Sequence, residues 1–220
     1  MKMSMTVRAV VAGAAVCVCG LALSQSRAFA EDAPAAAKAA ELKGLALGEA
    51  APEAVFVTTK GEKVKSADLW AKGPVVVVFY RGGWCPFCTK SLAAWQGELK
   101  ELEAAGATLV AVTMEKPSLA EATVTKHAPG VRVLADADGS ACRAYKTLFE
   151  LDEATQKKYR GYGIDLGKQN ESGKWQLPVP ATYVIDASGK VRWSHFDPDY
   201  TKRAKPAEVI AAVKGLPKGG

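Results

Sequence analysis

Val75 to Tyr80, VVVVFY, is an unbroken β-branched and aromatic run, the pattern of a strand buried on both faces. Arg81-Gly82-Gly83-Trp84 follows, and then a cysteine pair separated by two residues, Cys85-Pro86-Phe87-Cys88. That pair opens a helical period over Pro86 to Ala105, with Phe87, Leu92, Trp95, Leu99 and Leu102 on one side and Gly106 as the stop. A strand without a solvent face that feeds at once into an amphipathic helix points to a sheet covered by helices.

The rest of the chain repeats this alternation. Val55 to Thr58 is a short strand candidate closed by the Lys60-Gly61-Glu62 turn, and Thr108 to Met114 is a second buried strand. Pro117 to His127 reads as a helix with proline in its first turn, Val131 to Leu134 as a strand, and Ser140 to Lys146 as a helix. Phe149 to Leu177 is a charged, glycine-bearing insertion with one short helix through Tyr159. Thr182 to Ile185 and Lys190 to His195 flank Ser188-Gly189 as a hairpin, and Pro206 to Val213 closes the chain as a helix. The expectation is an α/β domain with a central mixed β-sheet, helices on both faces, an N-terminal strand extension and an insertion before the final β-hairpin.

The N-terminus reads as a secretory signal peptide over residues 1–30. Lys2 and Arg8 precede the apolar run Ala9 to Leu23, and Ala28-Phe29-Ala30 is a cleavage site. That run is short for a membrane span, which needs about 18 residues or more. Residues 31–46 form an Ala-rich tether, and the domain proper is expected over 47–220. Removing 30 residues from 220 leaves 190, and the loss of Lys2, Arg8 and Arg27 lowers the formal net charge from +6 to +3. So weak a basic excess gives no argument for nucleic acid, and no membrane span remains. Cys17 and Cys19 leave with the leader, so Cys85, Cys88 and Cys142 are the mature cysteines. An odd count in an oxidising compartment means one pair plus a spare, or thiols that chemistry uses.

A C-x-x-C at a helix start has a specific chemical use. The thiolate is the reactive form of cysteine, and the free N–H groups and partial positive charge of a helix N-terminus favour it. Pro86 suits a first turn because the N–H it lacks would have no helical partner, while Gly82 and Gly83 let the backbone turn sharply. Zinc would want a second ligand pair, and Cys142, His127 and His195 are scattered; haem attachment would want His where Thr89 stands. A purely structural disulfide stays open. Asp136, Asp138 and Gly139 read as a turn, and His195, Asp197 and Asp199 as a loop after an edge strand.

FYRGGWCPFC, followed about 90 residues later by VPATYVID and Ser188-Gly189-Lys190, resembles the thioredoxin-like superfamily, and within it the alkyl hydroperoxide reductase/thiol-specific antioxidant (peroxiredoxin-like) branch. Gly48-Glu49-Ala50-Ala51-Pro52 resembles that branch's G-x-x-A-P entry, and Asp197-Pro198-Asp199-Tyr200 a stretch near the C-terminus of the subgroup. The resemblance covers roughly Leu47 to Leu216. It implies a thioredoxin-like fold and a thiol-dependent peroxidase without cofactor or metal. Such an enzyme reduces hydrogen peroxide or organic hydroperoxides through a cysteine sulfenic acid, and an external thioredoxin-like dithiol regenerates it. The P-x-x-x-T-x-x-C signature lays its cysteine on Cys88, which implies Cys88 as the peroxidatic residue and Cys85, in place of the Thr, as its resolving partner. Arg81 stands in place of the signature Pro. The family's arginine just before A-T-Y-V-I-D is replaced by Pro180, which instead resembles the cis-proline facing the C-x-x-C of thioredoxins, with Thr182 beyond it.

On the thioredoxin reading, Cys85 is the more exposed, attacking sulfur and the substrate is a protein disulfide. Arg81 is read either as a cation near the thiols or, as is commoner, a solvated surface residue, and Trp84 as a partial lid. Cys142 is either an additional resolving thiol or a buried small hydrophobe. The insertion is expected to shape the rim of the redox site.

Overall fold

In the computed structural model, which describes residues 38–217, β3 (Val75–Phe79) lies at the middle of a sheet and every one of its residues is buried. Its parallel neighbour is β4 (Thr108–Thr113), with Val77 opposite Val110, and its antiparallel neighbour is β8 (Ala181–Ile185), with Val77 opposite Tyr183. The seven strands run in the order β2-β1-β5-β4-β3-β8-β9, completed by β1 (Val55–Thr58), β2 (Lys63–Lys65), β5 (Arg132–Ala135) and β9 (Val191–Phe196).

Because side chains alternate across a strand, β3 feeds two cores. Val76 and Val78 pack with Leu92, Trp95 and Leu102 of helix α2 (Pro86–Ala104), with α3 (Pro117–His127), and with Val209, Ile210 and Val213 of α7 (Pro206–Lys214). Val75, Val77 and Phe79 face the other way, onto Leu69 and Trp70 of α1 (Ala67–Trp70) and Ala141 and Cys142 of α4 (Ser140–Ala144). Each fully buried Val, Leu or Phe contributes roughly 1.5–3 kcal/mol of transfer free energy, so these two layers hold the sheet. The mixed sheet with helices on both faces is the architecture the alternation predicts. β2 and α1 were not expected: Lys63-Val64-Lys65 is a three-residue, mostly exposed edge, and α1 is a single turn.

The insertion is more ordered than its composition implies. β6 (Leu148–Glu150) pairs with β7 (Gln176–Pro178) in a separate two-stranded sheet. Between them lie α5 (Glu153–Gly161), capped by Asp152 accepting from the Thr155 N–H at 2.8 Å, and α6 (Leu166–Gln169). The Asn170 side chain donates to the carbonyls of Lys174 and Gln176 at 2.9 and 2.8 Å, and Lys116 N–H donates to Gln169 O, tying the insertion to the end of β4. The last residues of the stretch read as a tether are packed as well. Ala39 and Leu45 are buried, and the Leu45 N–H donates to the Tyr183 hydroxyl at 3.2 Å, so the packed domain begins before Leu47. The signal peptide and most of the tether lie outside the described residues. Among the described residues, no helix is long and apolar enough to cross a membrane.

Candidate active site

The turn from β3 into α2 is tight, and its glycines are required. Gly82 has φ +152°, and a Cβ there would press on Trp84 and lie 2.9 Å from Glu115 Oε1; a Cβ on Gly83 would fall on Thr123 Oγ1. Cys85 is the extended N-cap residue of α2 and Pro86 fills the first helical position; the Cys85 carbonyl accepts from the N–H groups of Cys88 and Thr89 at 3.0 and 3.1 Å. The two cysteines are not joined in a disulfide, and both are buried, with Cys85 0% and Cys88 1% exposed. The expectation of an exposed Cys85 is therefore corrected, because the first turn of α2 tucks both residues into the core beside Tyr80 and Leu92.

The two sulfurs differ in what surrounds them. Burial pushes the Cys88 thiol up, but a hydrogen bond from the Cys85 thiol and the charges of Arg203 and Arg81 outweigh it and hold Cys88 well below the usual thiol range. Cys85 moves well above it, first because it donates to Cys88 and then through burial. The surroundings of the pair therefore favour a thiolate on Cys88 over one on Cys85.

Arg81 is buried, not solvated, which corrects the commoner reading of that residue. Its guanidinium lies 4.0 Å from the Tyr200 ring centroid, 5.1 Å from Trp84 and 5.8 Å from Tyr159, and Nη2 donates to the Tyr159 hydroxyl. Burial favours the neutral form of Arg81, yet the nearby tyrosines and sulfurs more than offset it, so it stays a cation. Cation–π contacts of this kind contribute about 0.5–2 kcal/mol each. Tyr159 comes from the insertion, which thereby contributes a buried ring to the surround of Arg81. Trp84 is half-buried, packed against the Tyr159 ring at 5.7 Å and under the Arg81 guanidinium.

Three contributors carried no sequence signal toward the site. Arg203, between β9 and α7, places Nη2 3.4 Å from Cys88 Sγ. Tyr200 lies three residues before it, in the D-P-D-Y stretch, but nothing in that stretch points to Arg81. Glu115, at the end of β4, is buried and accepts from the Gly83 N–H at 2.9 Å; burial first, and then the charge of Cys88, push its carboxyl up to about 7.

Pro180 is buried immediately before β8, but its peptide bond is trans, against the cis-proline expectation. Val179 N–H donates to Thr147 O at 2.7 Å, extending the β6–β7 pairing straight toward β8 and leaving the chain extended. Thr182, opposite Val78 on β8, is buried on the face that carries the cysteine pair. Cys142 is on the opposite face, among Phe79, Tyr145 and Tyr183, so the additional resolving role is corrected: the sheet separates it from Cys88. Burial and then Asp136 push its thiol well above the usual range. Asp197 and Asp199 face Lys202 at 3.4 and 3.8 Å.

Known proteins give this geometry a family. The AhpC/TSA family model matches residues 47–194. The 1-Cys peroxiredoxin PER1 of Triticum aestivum is 27% identical over 178 residues, covering 80% of this chain and 74% of the relative. Among solved structures, reduced Prx3 of Vibrio vulnificus in complex with hydrogen peroxide superposes with TM-score 0.62 at 19% identity, covering 77% of this chain and 99% of that one. A yeast mitochondrial 1-Cys peroxiredoxin, described as resolved via glutathione/thioredoxin systems, gives TM-score 0.57 at 18% identity, covering 76% and 73%. At such identities the structural likeness speaks for the fold, while the family match spans more than half of the chain. The chain belongs to the AhpC/TSA family and is a peroxiredoxin-like thiol peroxidase on a thioredoxin-like fold.

Proposed function

We propose that Cys88 is the peroxidatic residue and Cys85 its resolving partner. The Cys88 thiolate attacks a hydroperoxide, bonding to one oxygen as the O–O bond breaks; the sulfur becomes a sulfenic acid and the other oxygen leaves, with one proton, as water or alcohol. The Cys85 thiol then condenses with the sulfenic acid, releasing water and forming the Cys85–Cys88 disulfide. An external dithiol of the thioredoxin kind takes up that oxidation by exchange. No step uses a metal or cofactor. The observation that carries this reading is the placement of the hydrogen-bond donor and both cations around Cys88, with Cys85 as donor. The Arg203 Nη2 contact on Cys88 Sγ, at 3.4 Å, favours Cys88 over the alternative of a thioredoxin-type enzyme attacking protein disulfides through Cys85.

Hydrogen peroxide consumption with dithiothreitol as reductant tests the assignment. The wild type should turn over, and Cys88→Ser should fall to the uncatalysed background. Cys85→Ser should complete one stoichiometric oxidation and stall as a trappable sulfenic acid whenever the dithiol is withheld. A Cys88→Ser enzyme that still turns over, with Cys85→Ser inactive, would reverse the roles. Residues 1–30 support an exported site of action; mass determination of the secreted chain should find it beginning at Glu31.

A further inference from the structure

Nine residues, 197–205, connect β9 to α7 as a strap beside the cysteine pair. Its turn is closed by its own side chains: Asp199 Oδ1 accepts from the Thr201 N–H and hydroxyl at 3.0 and 2.7 Å, and the Lys202 N–H donates to Asp199 O at 3.0 Å. It is pinned to the site at two points. The Tyr200 ring lies 4.0 Å from the Arg81 guanidinium with its edge toward Phe87, and Ala204 is buried in the core that contains both cysteines. Between these points the Arg203 guanidinium works in two directions. Nη1 donates to the carbonyls of Tyr200 and Lys202, while Nη2 reaches Cys88 Sγ.

The strap lies beyond the residues that the AhpC/TSA model matches. Pro180, at the position where the sequence resemblance looks for an arginine, has neither a cationic side chain nor an N–H. Of the two arginines near the pair, Arg81 turns its guanidinium to Tyr159 and the neighbouring rings and also meets Cys88 through its backbone, while Arg203 brings Nη2 to 3.4 Å from Cys88 Sγ. We propose that Arg203 is a catalytic residue of this enzyme, delivered to Cys88 by the C-terminal strap.

This inference rests on Cys88 as the attacking sulfur. In the oxidation of Cys88, two electrons pass from sulfur to the peroxide, and negative charge moves from Sγ onto the departing oxygen, which then takes a proton. A guanidinium in contact with Sγ has further N–H donors in the same plane, so it can follow the charge from sulfur to oxygen without moving. Closing the strap requires only Nη1. The Nη2 contact serves the sulfur.

The test uses the full chain and two independent readouts: the pH profile of Cys88 alkylation by iodoacetamide, followed by mass spectrometry, and kcat/KM for hydrogen peroxide with dithiothreitol. Arg203→Ala should shift the alkylation profile to higher pH and lower kcat/KM by about 10²–10³-fold, the loss typical for one donor at a developing anion. Guanidinium, added well below its denaturing range, should recover part of both, and Arg203→Lys should fall between the wild type and Arg203→Ala. An alkylation profile that superimposes on the wild type overturns the proposal, as does a rate loss that tracks a lower unfolding midpoint and is not rescued. A wild type that ignores peroxide defeats the peroxidase reading and the catalytic role together, whereas normal turnover with an unshifted Arg203→Ala defeats the role alone.

Discussion

Cys88 and Cys142 lie under the same sheet, one on each face, at 1% and 0% exposure. Burial by itself disfavours a thiolate on either side. On the face that carries α4, Asp136 accepts from the N–H groups of Ala141 and Cys142 at 3.1 and 2.7 Å, placing a second anionic group beside Cys142 and driving its thiol further up. On the face that carries α2, the Cys85 thiol, Arg203 and Arg81 reverse the effect of burial. Equal burial thus gives opposite chemistry, and the neighbours decide the sign.

The largest expected effect follows from that contrast. Iodoacetamide at pH 7 should label Cys88 in the folded, reduced chain, slowed by its burial, and leave Cys142 unlabelled until the chain unfolds. Cys142→Ala should leave kcat/KM for peroxide unchanged and cost about 1 kcal/mol for the small void it leaves, whereas Cys88→Ser removes turnover. Loss of peroxide reduction in Cys142→Ala, at intact stability, would break the comparison.

Glu115 sharpens the account of the α2 face through stability. Its carboxyl titrates near 7 in the folded chain against an ordinary 4.5. The folded value is raised, so the contribution to stability is fully present below about 4.5 and is lost as pH rises toward 7. A shift of that size corresponds to about 3 kcal/mol. Glu115→Gln keeps an oxygen to accept from the Gly83 N–H and cannot ionise, so urea unfolding should show a flatter pH dependence between 4.5 and 7 than in the wild type. Identical slopes in the two proteins would place the carboxyl in water.

Much of this fold was legible because its elements are periodic and buried. The β3 run, the α2 stripe, the Pro117–His127 helix and the Ser188-Gly189 hairpin turn each carry a local pattern that tertiary packing reinforces. The cysteine pair was legible for the same reason, since the strand, the glycines, the C-x-x-C and Pro86 are contiguous. Arg203 and Glu115 were not. They reach the site only because β4 ends and β9 returns beside the α2 N-terminus, which is a property of strand order that no spacing along the chain encodes. The burial of Arg81, the less common of its two sequence readings, depends on Tyr159 and Tyr200, which come from segments far from it along the chain. Pro180 shows the converse. Its motif suggested a cis bond, and the bond is trans, next to Val179, whose N–H donates to Thr147 O beside the β6–β7 pair.

The smallest expected effect is at Asp136, on the α4 face. Its two carboxylate oxygens hold the second and third N–H groups of a five-residue helix, those of Ala141 and Cys142, a capping role for which replacement by alanine typically costs about 1 kcal/mol. Asp136→Ala should lower stability by that amount in urea unfolding and leave peroxide reduction untouched, because the Cys142 that Asp136 holds and the cysteine pair pack under opposite faces of the sheet. It also separates the two causes acting on Cys142. Removing the carboxylate takes away the neighbouring negative charge but leaves the sulfur among Phe79, Tyr145 and Tyr183. If burial suffices to keep that thiol inert, Cys142 in folded Asp136→Ala should remain unlabelled by iodoacetamide at pH 8. Labelling at native stability would instead mean that the charge of Asp136, as the counterpart of the arginines on the other face, is what keeps Cys142 silent.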